Sequence, residues 1–252
     1  MMLGSNTIVR MNDLHLGTMA KEFERQVSDP SCQSLTFEDR MAMMVDLQWH
    51  CRVDSRVERA LKKARLGIPG ACVEDILYHA DRKLDKGLIA RLASCAYIAE
   101  SRNVCLTGAS GAGKSFIACA LGNAACRNTL SVAYIRLPEL LNELAVARAE
   151  NSYRAAISHY KKVRLLILDE WLIYALKVGE ARDLLEIIEA RSSAGASMIF
   201  CSQFDPKGWH EKIGDPTLAD AVCDRIIHNS FRIHIEGDDS MRKRLGPISA
   251  EA

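Results

Sequence analysis

The sequence has no uncharged apolar run approaching the roughly 18 residues that a membrane-crossing helix requires. Its N-terminus lacks an apolar stretch of signal-peptide type. It contains no internal repeat and no low-complexity segment. Net charge is nearly absent: Lys+Arg 33 against Asp+Glu 32 leaves a formal +1. That balance excludes a strongly basic histone-like binder and an acidic solvating tail. Nine cysteines in 252 residues fall well short of a disulfide scaffold, the count is odd, and there is no C-x-x-C pair. Cys105, Cys119, Cys126 and Cys201 sit in apolar stretches, where a free thiol behaves as a small hydrophobe. The expectation is a reduced, cytoplasmic chain without membrane attachment. His50, His79, His159, His210, His228 and His234 are scattered without metal-ligand spacing.

What is present is ordinary for a globule: 48% hydrophobic and 26% charged residues, enough to bury a core without staples. Up to about residue 99 the pattern is helical. The clearest element is a helix over Phe37–Leu66, opened by Thr36 and Asp39 as a capping box. Met41, Val45, Trp49, Val53, Val57 and Leu61 recur every four residues and predict its packed face, with Met43 and Met44 as further packing. Gly67 and Pro69-Gly70 end it, and Gly87–Glu100 reads as another helix. From Asn103 the pattern alternates. Strands are expected at 103–107, 132–135, 165–168, 197–201 and 231–235, with helices at 115–127, from Pro138, and at 180–191. This predicts an α/β fold with a parallel sheet covered on both faces. The expected organisation is a helical region over 1–99 with a flexible start near 1–12, an α/β domain over 100–236, and a C-terminal segment and tail over 237–252.

Gly108-Ala109-Ser110-Gly111-Ala112-Gly113-Lys114-Ser115 fits G-x-x-x-x-G-K-[ST] in full. Glycines let the backbone turn its N–H groups toward phosphate oxygens, and the following helix points its positive end at the same anion. Lys114 supplies a charge to the β- and γ-phosphates, and the Ser115 hydroxyl suits Mg²⁺. The plainer reading, a glycine turn beside a solvated lysine, is weakened because the motif leaves a strand and opens a helix. The strand Leu165–Leu168 ends in Asp169-Glu170, 55 residues after Lys114. There Asp169 would hold Mg²⁺ through water, and Glu170 would orient and deprotonate an attacking water. The pair argues for ATP hydrolysis over transfer to a small substrate. Ser202-Gln203 after the fourth strand are either sensors of the γ-phosphate or a polar strand end.

With these residues in place, the chain resembles the IstB-type helper ATPases of bacterial insertion sequences, relatives of the DnaC helicase loaders in the AAA+ class. The resemblance runs from about Leu14 to Lys243. It rests on Leu35–Arg40, Trp49, Ala64-Arg65-Leu66, Glu74-Asp75-Ile76, the phosphate loop, Tyr134–Leu140, Asp169-Glu170, Asp224–His228 and Gly237–Arg242. It implies an αβα AAA+ sandwich behind an N-terminal helical domain. It further implies that Arg225 is an arginine finger acting across a subunit interface, that Arg242 is a sensor-2 arginine on the nucleotide, and that Ser202 or Gln203 is sensor 1. The plainer readings are that Arg225 pairs with Asp224 or Asp220 and that Arg242 belongs to a basic run with Lys243 and Arg244. In one departure, relatives commonly have Gly two residues after the Walker-B Glu, where this chain has Leu172; that concerns the loop's shape.

Arg52, Arg56, Arg59 and Lys63 share a face of the Phe37–Leu66 helix, in a stretch with six basic residues against Asp54 and Glu58. From the residues alone this is either a solvated face or a phosphate-binding stripe. The resemblance favours DNA contact. Arg154, Lys161, Lys162 and Arg164 form a second cluster with the same two readings, and no aromatic–basic interleaving points to single-strand stacking. The resemblance implies a Mg²⁺-dependent ATPase that forms homo-oligomers through ATP-bridged interfaces on double-stranded DNA and recruits or activates a partner transposase. The rivals are a DnaC-like replicative helicase loader, a small-molecule kinase, and a nucleotide-gated scaffold with negligible turnover.

Overall fold

The apolar runs do become the middle of a sheet. In the computed structural model, which describes residues 2–237 and 240–245, β1 (Asn103–Gly108), β2 (Val132–Arg136), β3 (Leu165–Trp171), β4 (Ser197–Ser202) and β5 (Ser230–Ile235) pair in the order β2-β3-β4-β1-β5. All four pairings are parallel. Central strands β1 and β4 are buried at every position because both their faces and both their edges are covered.

The chain divides into two compact units after Arg59. The first contains α1 (Met2–Asp13), α2 (Gly17–Ser28) and most of α3 (Phe37–Ala64). The Thr36 hydroxyl caps α3, accepting from the Asp39 N–H at 3.1 Å and donating to the Asp39 carboxylate at 2.8 Å. The packed face of α3 in this unit differs from the predicted one. Met44 is buried as expected and Gln48 is buried with it, whereas Met43, Val45 and Trp49 are exposed, Trp49 at 62%. The four-residue spacing drifts around a 3.6-residue helix, and a polar anchor displaces it: Gln48 accepts from the Met19 N–H at 3.1 Å.

The second unit begins at Ala60, well before residue 100. Ala64, Leu66, Ala71, Ile76, Ile89 and Leu92 join the same core as β1 and the helix behind it, so the segment 60–99 is part of the sheet domain. The expected helix at 87–100 is two, α4 (Lys86–Ala93) and α5 (Ala96–Ala99), broken by Cys95 at φ 62°. The sheet is then flanked by α6 (Lys114–Arg127), α7 (Leu137–Ala149), α8 (Tyr153–Lys162), α9 (Val178–Ser193), α10 (Trp209–Ile213) and α11 (Pro216–Ile227), with α12 (Met241–Leu245) following β5. Two apolar clusters, one on each sheet face, give the αβα layering that the alternation predicted. All nine cysteines are free thiols and seven are buried. Among the described residues no helix is long and apolar enough to cross a membrane, and no group of three or more His, Cys, Asp or Glu is arranged to hold a metal.

One cation is completely enclosed. Arg191 of α9 donates to the carbonyls of Tyr160 (2.7 Å), Val163 (2.9 Å) and Ser197 (2.6 Å), tying α8, α9 and the start of β4 together. Burial pulls its pKa down to about 9. Replacing Arg191 with Leu strands these acceptors without water. We expect a loss of about 3 kcal/mol, read as a lower urea midpoint; an unchanged midpoint contradicts the role.

Candidate functional site

Parallel strands deliver their carboxyl ends to one edge, and the loop Gly108–Ser115 leaves β1 at that edge. Gly108, Gly111 and Gly113 have φ of 143°, 79° and 93°, conformations open to glycine. Gly113 forms the N-cap of α6, whose first residue is Lys114. Lys114 is 8% exposed and its ammonium donates to the carbonyls of Gly108 (2.8 Å) and Ala109 (2.7 Å). Burial lowers its pKa, against an opposing pull from Asp169. The loop thus holds a desolvated ammonium, the half-exposed hydroxyl of Ser115 and a helix N-terminus together.

The second half of the site comes from β3. Asp169 and Glu170 do end that strand next to the loop: with Ser115 they line one cavity of about 1220 Å³. Asp169 is buried, accepting from the Tyr134 hydroxyl at 2.7 Å and from the Glu170 N–H at 2.8 Å. Burial first, then this bond to Asp169, pushes the Tyr134 phenol far up, so it stays a donor. Glu170 is part-exposed, with the Arg136 guanidinium 3.8 Å from its carboxylate and Arg136 also paired with Glu139. Glu170 and Leu172 both have φ 53°. Leu172 therefore occupies, fully buried, a left-handed position that glycine meets without strain. Trp171 between them is buried in an aromatic cluster with Phe200 and Trp209, at ring-centroid distances of 4.7 and 5.7 Å.

Ser202 does not face this cavity. It is fully buried, its hydroxyl donates to the Trp171 carbonyl at 3.1 Å and accepts from the Phe204 N–H at 3.1 Å, so it fastens the backbone after Glu170. This burial is at odds with the expected reach of Ser202 to a γ-phosphate; Gln203 is exposed, and neither residue lines the cavity. Arg225 pairs with Glu189 at 2.8 Å and donates to the Ala221 carbonyl, not to the Asp224 or Asp220 of the plainer reading. It lines a separate surface cavity with His210, Asp220 and His228. Arg242 falls in α12, its side chain outside the described residues, as are Asp238 and Asp239.

Arg52, Arg56 and Arg59 are exposed on α3, with Arg52 donating to the His15 carbonyl at 3.2 Å and Arg59 to that of Ser55. Trp49 stands exposed three and seven residues before Arg52 and Arg56, on their side of the helix, an aromatic next to the basic stripe that the packing pattern had hidden. Lys63 belongs elsewhere: it lines the cavity of Ser115, Asp169 and Glu170 together with Lys62 and Arg65. In the second basic cluster, Lys161 is paired with Glu186 at 2.7 Å, while Arg154, Lys162 and Arg164 are exposed.

The five-strand parallel sheet, the phosphate loop and the Asp-Glu strand end define a P-loop nucleotide-binding domain of the AAA+ class. Solved structures agree on the fold: the DnaC helicase loader (TM-score 0.58, 14% identity, 66% of this chain and 97% of that one) and DnaI (TM-score 0.56, 22% identity, 68% and 90%). AMPPCP-bound DnaA from Aquifex aeolicus is similar in the same way (TM-score 0.58, 18% identity, 69% and 52%). The sequence pattern of the family described as "IstB-like ATP binding protein" matches residues 9–247. An insertion sequence ATP-binding protein of Sinorhizobium fredii is 37% identical over 96% of this chain and 98% of its own length, and one of Pseudomonas fluorescens is 38% identical over 79% and 86%. The chain belongs to the IstB-like ATP binding protein family.

In the sequence Tyr134 stands only as part of a motif; its bond to Asp169 comes from the register that sets Arg136 opposite Asp169. A neighbouring glycine makes room for it. A Cβ on Gly67 would come within 2.5 Å of the Tyr134 hydroxyl, whereas one on Gly70 would meet nothing within 4 Å. Gly67→Ala is expected to destabilise the chain by about 1–3 kcal/mol and to weaken Mg²⁺-dependent nucleotide binding several-fold by displacing Tyr134 from Asp169. Gly70→Ala should change neither. Thermal unfolding and nucleotide titration with and without Mg²⁺ check this; equal behaviour of the two variants contradicts it.

Proposed function

We propose that this ATP-binding protein is a transposition helper that hydrolyses ATP, assembles as an oligomer on duplex DNA and recruits or activates a partner transposase. The observation that carries the reading is the meeting of Ser115, Asp169 and Glu170 in one cavity beside Lys114, in a chain of this family. The oxygen donors fit a hard cation that keeps waters and takes its remaining ligands from phosphates. Mg²⁺ held by Ser115 and Asp169 would neutralise charge on the β- and γ-oxygens.

Lys114 exchanges its two loop carbonyls for phosphate oxygens. Glu170 takes the proton of a water as its oxygen attacks the γ-phosphorus; the bond to the β-phosphate oxygen breaks, leaving ADP and inorganic phosphate. Gln203 or Arg242 reports on the γ-phosphate. Arg225, lining a cavity distinct from that of Glu170, completes the site of a neighbouring copy, a task that suits a permanent, forked cation. DNA is held by Arg52, Arg56 and Arg59, with Trp49 exposed beside them. Insertion-sequence relatives support the transposase partnership. The DnaC likeness supports the helicase-loader alternative only at the level of fold.

Glu170→Gln is expected to keep ATP binding and lose at least about 100-fold in turnover, as for a missing general base; wild-type hydrolysis in this variant sinks the assignment. The paired change Arg56→Ala and Arg59→Ala should weaken duplex binding and lower the slope of log affinity against log salt by about 2 per chain. An unchanged slope means that these arginines do not meet phosphate.

A further inference from the structure

Behind the phosphate loop lies a second buried arginine that no motif contains. Arg82 ends a single 3-10 turn, Ala80–Arg82, in the segment before α4. It is 4% exposed. Its guanidinium donates to the Leu77 carbonyl with one nitrogen and to the Ala112 carbonyl at 2.8 Å with the other. Those are its hydrogen-bond partners among the described residues. The adjacent Asp81 forms a bidentate pair with Arg244 of α12. Burying a guanidinium against neutral carbonyls is costly, and burial does depress its pKa. A side chain held there at such expense has few structural justifications: Leu77 and Ala112 would each be served by a smaller donor or by water.

The Ala112 carbonyl belongs to the peptide plane that carries the Gly113 N–H. That peptide is trans, so its C=O and N–H point in opposite directions. Drawing the carbonyl back toward Arg82 turns the Gly113 N–H forward, to the side where the loop receives an anion at the start of α6. The same contact explains why position 113 takes no side chain: a Cβ there would come within 2.8 Å of the Arg82 guanidinium, in addition to the strain at φ 93°. The flanking peptide is held independently, since the Met241 N–H donates to the Gly111 carbonyl at 2.8 Å. Lys83, paired with Glu236 at 2.6 Å, extends the attachment of this turn toward the end of β5.

We propose that Arg82 is a positioning residue for the nucleotide: it fixes the Ala112–Gly113 peptide so that the Gly113 N–H is preset for a β-phosphate oxygen, and it places a fixed positive charge behind the loop. The proposal rests on the nucleotide reading of this site. A merely structural arginine would affect stability and leave the affinity of the folded protein alone. A positioning one changes affinity even where the fold persists.

The test uses the full chain with Arg82→Lys, which keeps the charge but replaces the planar fork, with its two separate donor nitrogens, by a single nitrogen on a shorter, differently shaped head, and Arg82→Gln, which loses the charge. ATP binding is titrated alongside thermal unfolding, and the Gly113 amide is followed by ¹⁵N glycine labelling. The expected result is a folded Arg82→Lys protein with ATP affinity reduced about tenfold, a larger reduction for Arg82→Gln, and an ATP-induced shift of the Gly113 amide that shrinks in both. If Arg82→Gln fails to fold, Arg82→Lys decides. Folded Arg82→Lys with affinity within twofold of wild type and an unchanged Gly113 shift overturns the proposal, as does an Arg82→Lys chain that does not fold. A wild-type chain that binds no ATP overturns the nucleotide reading beneath it, a separate outcome.

Discussion

Five parallel strands end along one edge, and a chain leaving such an edge turns its backbone N–H and C=O groups out of the ladder. Those groups need partners, and the site is built from how they are met. After β1, the carbonyls of Gly108 and Ala109 take the Lys114 ammonium, that of Gly111 takes the Met241 N–H, and that of Ala112 takes Arg82. With these carbonyls engaged by donors from within the chain, the loop's N–H groups and the positive end of α6 are left to an anion. The affinity for phosphate thus follows from satisfying the backbone at a sheet edge.

The strand that supplies the carboxylates faces the opposite demand. Asp169 is held by two donors, while Glu170 is part-exposed at the cavity. The chain accommodates both by placing Glu170 and Leu172 at positive φ around a fully buried Trp171. Each such residue costs on the order of 1 kcal/mol. The cost is tolerated because Phe200, Trp209 and the Ser202 hydroxyl hold the Trp171 segment in place. Arg136, near Glu170 and paired with Glu139, sits where it can steady the carboxylate electrostatically.

The parallel sheet and the phosphate loop were legible because their signals are local: continuous apolar runs of strand length, and a motif whose spacing is set by the size of a phosphate. Asp169 and Glu170 were legible for the same reason, ending such a run. The long-range partners were not. Nothing near Tyr134 in the chain announces Asp169, and Arg82 reads as one more charged residue in the run Asp81-Arg82-Lys83. Ser202 looked like a sensor because a polar residue ends β4; its burial depends on the bulge where Trp171, not a nearer residue, pairs with it. Trp49 was assigned to a packed face by periodicity, whereas Gln48, bonded to the Met19 N–H, takes the buried position beside it. The segment 60–99 was assigned to the N-terminal region because helical pattern does not say which core a helix joins.

In the proposed function ATP is hydrolysed between copies, Glu170 acting from one and Arg225 from the next. Within the chain Arg225 is engaged by Glu189, so its release and capture by a neighbour is the event that would couple assembly to turnover. The most direct measurement mixes two single variants, Glu170→Gln and Arg225→Ala, and follows phosphate release against mixing ratio at fixed total protein. Each variant alone should be inactive; the mixture should recover activity, greatest near equal proportions, because some interfaces then pair an intact Glu170 with an intact Arg225. A mixture as inactive as its parts would contradict hydrolysis between copies.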